Sequence, residues 1–175
     1  MKKFQTRSEK ETRNLAERLI VEQLELAEGK PLVIGLNGDL GTGKTIFTKA
    51  IAEFLEIDDI VTSPTYTYGR EYPLVRKNQS GVLHHLDLYR VDNKQIFSAL
   101  DWENLLKPGN IVIIEWWSQV VEFADFKPNL IVNLEQSEEN DDFREITVVE
   151  NENQTWSDEE IKNIYKEVAE VIENK

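Results

Sequence analysis

The chain has 175 residues and a mass of 20.3 kDa, the length of one ordinary globular domain. With 40% hydrophobic and 30% charged residues and no cysteine, it is neither disordered nor a disulfide scaffold, and thiolate metal or nucleophile chemistry is excluded. The net charge of −13 is concentrated at one end: residues 137–175 hold 13 acids against 4 bases, the other 136 residues 20 against 16, which weakens the case for unaided RNA binding without closing it.

The opening MKKFQTRSEKE has no apolar stretch behind its lysines, so no secretory signal is expected. No apolar run approaches the roughly 20 residues of a membrane span, and a cytoplasmic, membrane-free location is the expectation. Lys2, Lys3, Arg7, Lys10, Arg13 and Arg18 crowd the first turns and read as a solvated helix face. Ser8-Glu9-Lys10-Glu11 has capping-box spacing, and Leu15, Leu19, Ile20, Leu24 and Ala27 follow at helical intervals up to Gly29. The apolar run at 32–36 reads as a buried strand that feeds a glycine-rich turn and a helix over 43–55. Ser63-Pro64-Thr65 is a turn, 66–75 is extended, and 77–81 resembles a hairpin connection. Strands are expected at 82–88, 111–116 and 130–134, with one helical stretch over 93–106 between the first two. After a polar turn at 136–142, residues 144–149 are expected to pair back on the preceding strand. A second capping-box spacing runs from Ser157 to Glu160. It introduces a helical stripe of Ile161, Ile164, Tyr165, Val168, Val171 and Ile172. Strands alternating with helices and closing in a hairpin predict an α/β fold.

Gly38-Asp39-Leu40-Gly41-Thr42-Gly43-Lys44-Thr45 satisfies G-x-x-x-x-G-K-[ST] in full. Glycines let successive backbone N–H groups converge on phosphate oxygens, and the helix start adds a favourable dipole. Lys44 would place its ammonium between the β- and γ-phosphates, and the Thr45 hydroxyl would be a Mg2+ ligand. A strand before the motif and a helix behind it are the context this mechanism requires. The fold expected is therefore a P-loop NTPase-like, mostly parallel sheet flanked by helices, with antiparallel hairpins.

Two carboxylates stand at ends of expected strands. Glu115 closes the apolar run at 111–114 and is the better candidate for a direct or water-mediated metal ligand. Asp87 closes the strand that carries His84 and His85 and is placed to hold a metal-bound water or orient the attacking one. Thr65 is either a switch-loop residue sensing the γ-phosphate, with Ser63 beside it, or a turn residue with an incidental hydroxyl. His84 and His85, adjacent on a strand, face opposite ways, which argues against zinc. Trp116 and Trp117 read as packing or interface residues rather than a platform for bases.

Together GDLGTGKT, SPTYT, HLDLYR and IIEWW, in this order and spacing, closely resemble the TsaE family over about residues 12–149. That family is the P-loop ATPase component of the bacterial machinery making threonylcarbamoyladenosine at position 37 of tRNAs that read codons beginning with A. The resemblance implies that Leu40, Gly41, Thr42, Gly43, Lys44 and Thr45 bind ATP, that Thr45 and Glu115 bind Mg2+, and that Asp87 supports hydrolysis. It also implies that Ser8 and Thr12, at the first helix start, help hold the nucleotide, and that Arg144 lies near the base. It further implies an accessory role beside TsaD-like and TsaB-like partners, with tRNA reached indirectly through that complex. Residues 1–150 would form the ATPase domain, and the acidic extension at 151–175 would either fold onto it or form a partner surface. Trp117 departs from the family, which often has Pro or Ser after its Glu-Trp.

Three other functions share the nucleotide motif. A small P-loop kinase would want a lid-like arginine cluster, which the chain lacks beyond Arg70 and Arg90. A GTPase would want N/T-K-x-D, and Asn93-Lys94-Gln95-Ile96 lacks the aspartate. A non-hydrolysing, ATP-gated assembly module stays open, because binding residues alone do not reveal turnover. No arginine finger is identifiable, so weak ATPase activity is expected without partners.

Overall fold

A computed structural model describes residues 1–27, 29–64, 67–76, 79–137 and 140–151. Thr65 and the helix expected beyond Ser157 lie outside the described residues, as do parts of the turns at 77–81 and 136–142. The described residues form one seven-stranded sheet flanked by helices. In chain order the elements are β1 (Lys2–Thr6), α1 (Glu9–Ala27), β2 (Leu32–Asn37), α2 (Lys44–Phe54), β3 (Gly69–Arg76), β4 (Gln79–Asp87), α3 (Lys94–Ser98), α4 (Trp102–Leu105), β5 (Ile111–Glu115), α5 (Trp117–Val120), β6 (Leu130–Gln136) and β7 (Arg144–Glu150). Spatially the strands run β1-β7-β6-β2-β5-β4-β3. The inner pairs β6–β2, β2–β5 and β5–β4 are parallel, and the outer pairs are antiparallel. A mostly parallel centre with antiparallel margins is the α/β architecture expected.

The apolar runs of β2 and β5 are buried at every position, as strands covered on both faces are. Alternation along them sorts the core into two layers. Leu32, Ile34 and Leu36 join Ile111, Ile113, Leu130, Val132 and Leu134 beneath α1 and α2. Val33, Val112, Ile114 and Ile131 face the other way, onto Phe97, Leu105 and Trp117. Leu15, Leu19 and Ile20 of α1 are buried against the first layer, each contributing about 1.5–3 kcal/mol.

The capping box at the start of α1 forms, displaced by one residue on its return leg. Ser8 Oγ accepts from the backbone of Glu11 at 3.2 Å, and Glu11 Oε2 accepts from the N–H of Arg7 at 2.8 Å.

Two expectations need correction. The basic N-terminal run is not all helix face: Lys2 and Lys3 belong to edge strand β1, which pairs with β7. Five residues with little hydrophobic pattern gave no local signal, and the strand exists because β7 offers an edge. The helical stretch over 93–106 is two short helices, not one. Asn93 and Asp101 each cap a separate start, with Asn93 Oδ1 2.9 Å from the Ile96 nitrogen and Asp101 Oδ1 3.2 Å from that of Asn104. Between them Trp102 turns its ring onto Phe97, at 4.6 Å between centroids, and donates Nε1–H to the Phe97 carbonyl at 2.8 Å.

Candidate nucleotide-binding site

The loop of residues 38–43 leaves the end of β2 and enters α2 at Lys44. Gly38 has φ +136°, and a Cβ there would strike the Leu134 carbonyl on β6, so glycine alone lets the chain turn this close to its neighbour. Thr42 Oγ1 donates to the Asp39 carbonyl at 3.0 Å and closes the loop from within. From outside, buried Arg144 of β7 braces it. Its Nε donates to the Thr42 carbonyl at 2.8 Å and its Nη1 to that of Asp142 at 3.1 Å. Leu40 stands at the crown of the loop, 90% exposed.

Lys44 is buried, and its Nζ donates to the carbonyls of Gly38 at 2.6 Å and Asp39 at 2.8 Å. Burial pushes its pKa below the usual lysine value, while the charges of Glu115, Asp87 and Asp39 act in the opposite direction. The ring of Trp116 lies over this ammonium at 4.0 Å from the centroid. Trp116 holds that position with a left-handed backbone, φ 64° and ψ 34°, uncommon for so bulky a residue, and leans on Tyr89 at 4.8 Å.

Thr45, one residue into α2, donates from Oγ1 to Glu115 Oε1 at 3.2 Å. Glu115 is the last residue of β5 and lies in register with Asp87, the last residue of β4, both buried. Asp87 Oδ2 accepts from Ser63 Oγ at 3.1 Å, and Oδ1 from the Tyr89 nitrogen at 3.2 Å. His85 Nε2 lies 2.8 Å from Glu115 Oε1. Lys44, Thr45, Ser63, Asp87 and Glu115 are therefore gathered around the ends of three adjacent parallel strands. A hydroxyl and carboxylates form a hard oxygen set that suits Mg2+. No group of three or more His, Cys, Asp or Glu among the described residues could hold a metal by itself.

Ser8 and Thr12 stand one step away. Ser8 caps α1, and wholly buried Thr12 pairs its Oγ1 with that of Thr6 at 2.8 Å. Thr6 is in register with Arg144, whose side chain braces the loop, so Thr12 is tied to the strand beside that arginine, while Ser8 Oγ is engaged with the Glu11 nitrogen. His85 and Trp116 were not singled out for the site by their sequence. Alternation places His85 on the face that carries Asp87, and Trp116 directly follows Glu115, so both signals were present. Trp117 is a core residue, wholly buried among Val33, Val120 and Phe126.

The model of the family described as threonylcarbamoyl adenosine biosynthesis protein TsaE matches residues 6–146. The chain is 35% identical over 148 residues to the tRNA threonylcarbamoyladenosine biosynthesis protein TsaE of Bacillus subtilis, covering 83% of each chain. It is 34% identical over 134 residues to the protein of the same name from Rickettsia felis, covering 76% of this chain and 72% of that one. The crystal structure of YdiB from Bacillus subtilis superposes with a TM-score of 0.58 at 29% identity, over 84% of this chain and 82% of that one. A family match over most of the chain, relatives of similar length and a shared fold agree: the chain belongs to the TsaE family.

Proposed function

We propose that this chain binds ATP with Mg2+ at residues 38–45 and hydrolyses it in the cytoplasm, weakly alone and faster with its partners. Membership of the TsaE family gives it a role in threonylcarbamoyladenosine biosynthesis. Within that pathway we assign it an accessory part. Hydrolysis would support turnover of a complex of TsaB-like and TsaD-like proteins and would not itself modify tRNA adenosine 37.

One observation carries the reading: Thr45 and Glu115 lie 3.2 Å apart between Lys44 and Asp87, where three parallel strands end. Thr45 and Glu115 would hold Mg2+, which when bound neutralises charge developing on the phosphates. The Lys44 ammonium, held by two loop carbonyls, would exchange them for phosphate oxygens of greater charge. Asp87, fixed through both oxygens by Ser63 and the Tyr89 backbone, would orient the attacking water and accept its proton. Leu40, Gly41, Thr42 and Gly43 would line the phosphates. Ser8, Thr12 and Arg144 would shape the nucleoside end, and Thr65 with Ser63 would report the γ-phosphate.

The test is ATP hydrolysis with magnesium, first by this chain alone, then with TsaB- and TsaD-type proteins and tRNA. Stimulation by partners that disappears in Lys44→Ala and Glu115→Ala supports the reading. Absence of both stimulation by those partners and binding to them would refute the accessory role.

A further inference from the structure

We infer that His85 is a positioning residue, whose function is to hold the Glu115 carboxylate in the orientation that receives Mg2+. The inference rests on the nucleotide reading above and adds a residue to it. His85 is wholly buried on β4, on the sheet face that carries Leu83 before it and Asp87 after it. It is shut off from solvent, and its side-chain hydrogen bond goes to Glu115, the group through which it acts on the site.

Three features separate this from packing. First, the 2.8 Å contact to Glu115 Oε1 is the one hydrogen bond its side chain makes among the described residues, and buried Nδ1 has none. An imidazole kept only to fill space would be replaced at lower desolvation cost by a leucine, as at Leu83. Second, Glu115 is itself only 3% exposed, and a carboxylate so deep requires donors. It has two, His85 Nε2–H and Thr45 Oγ1–H, and both meet the same oxygen. Two donors on Oε1 oppose rotation of the carboxylate. Third, by spending its proton on Glu115, Thr45 keeps both hydroxyl lone pairs for a cation. His85 shares that oxygen and holds it still. A donor behind a ligating carboxylate is the arrangement by which proteins tune metal affinity, and its loss typically costs 10–100-fold.

Calorimetric titration of the full chain with ATP, once with magnesium and once with EDTA, separates the roles. The quantity of interest is the gain in affinity that magnesium confers. In His85→Met, of similar volume but without a donor, that gain should fall about 10–100-fold while affinity in EDTA is kept. His85→Gln, whose amide nitrogen can occupy the place of Nε2, should restore most of it. A full magnesium gain in His85→Met would overturn the inference, and so would equal losses with and without metal. A wild-type chain that binds no ATP, or gains nothing from magnesium, would instead overturn the reading of the site, and the inference with it.

Discussion

Gly35 lies in the middle of β2, and replacing it by alanine tests whether Trp117 is locked as the structure has it. A Cβ at this position would stand 2.7 Å from Cγ, 2.9 Å from Cδ1 and 3.0 Å from Cβ of Trp117. Favourable carbon contacts lie at about 3.5–4.0 Å, so the indole would have to retreat by roughly 0.5–1 Å. It has nowhere to go, being wholly buried with its ring 5.7 Å from that of Phe126. Overpacking of this kind costs about 1–3 kcal/mol, and reduced freedom of the unfolded chain returns about 0.4–1 kcal/mol, leaving a net loss of about 1–2 kcal/mol. For a chain of this size that lowers the melting temperature by about 2–8 °C. Urea unfolding followed by far-ultraviolet circular dichroism reads the loss directly. The control is the same substitution in a Trp117→Leu background, where the obstruction is gone and Gly35→Ala should be neutral or slightly stabilising, a coupling of about 1–3 kcal/mol equal to the overpacking cost. Equal costs in the two backgrounds, or no cost in the wild type, would refute the packing argument.

Other consequences follow from the same contacts. Asn110 accepts from the Val82 nitrogen at 3.0 Å and donates to the carbonyls of Asn104 at 3.1 Å and Leu105 at 3.2 Å, so Asn110→Ala should destabilise the fold by about 2–3 kcal/mol in equilibrium unfolding. The same amide donates to His84 Nε2 at 3.1 Å and thereby selects the neutral ring, while burial, opposed by Glu71, pushes the His84 pKa below its ordinary value. A lowered folded-state pKa means the contribution is fully present above about pH 6.5 and is lost as pH falls through the lower folded value. Stability measured between pH 7.5 and 5 should therefore decline more steeply in the wild type than in His84→Gln, whose carbonyl can take the same bond without titrating. Because the Trp116 ring covers the Lys44 ammonium at 4.0 Å, ATP binding should change tryptophan fluorescence. That signal should vanish in Trp116→Phe, and its persistence there would assign it to another tryptophan. Arg144→Leu leaves the Thr42 carbonyl without its buried donor and should weaken ATP binding about tenfold or more, measured by titration.

Residues whose role depends on their own chain neighbourhood were legible before any tertiary structure was considered. The P-loop is contiguous because successive amides, a lysine and a hydroxyl on one helix start need only local geometry. Strands β2 and β5, buried on both faces, announce themselves by apolar runs, and Asp87 and Glu115 by ending such runs. What required the fold was pairing and direction. Edge strand β1 has no apolar pattern and exists because β7 offers it hydrogen bonds. The split between α3 and α4 depends on Trp102 finding Phe97. His84 and His85 are indistinguishable as a dipeptide, yet parallel pairing with β5 sends one to Asn110 and the other to Glu115. Likewise Arg144 becomes a brace for the P-loop only because β7 returns beside β6, 102 residues further along the chain than Thr42. Sequence alone determined the chemistry of the loop, since that chemistry is carried by consecutive residues. The tertiary structure alone decided which distant side chains hold it in place, since strand register and side-chain direction are set only when the sheet assembles.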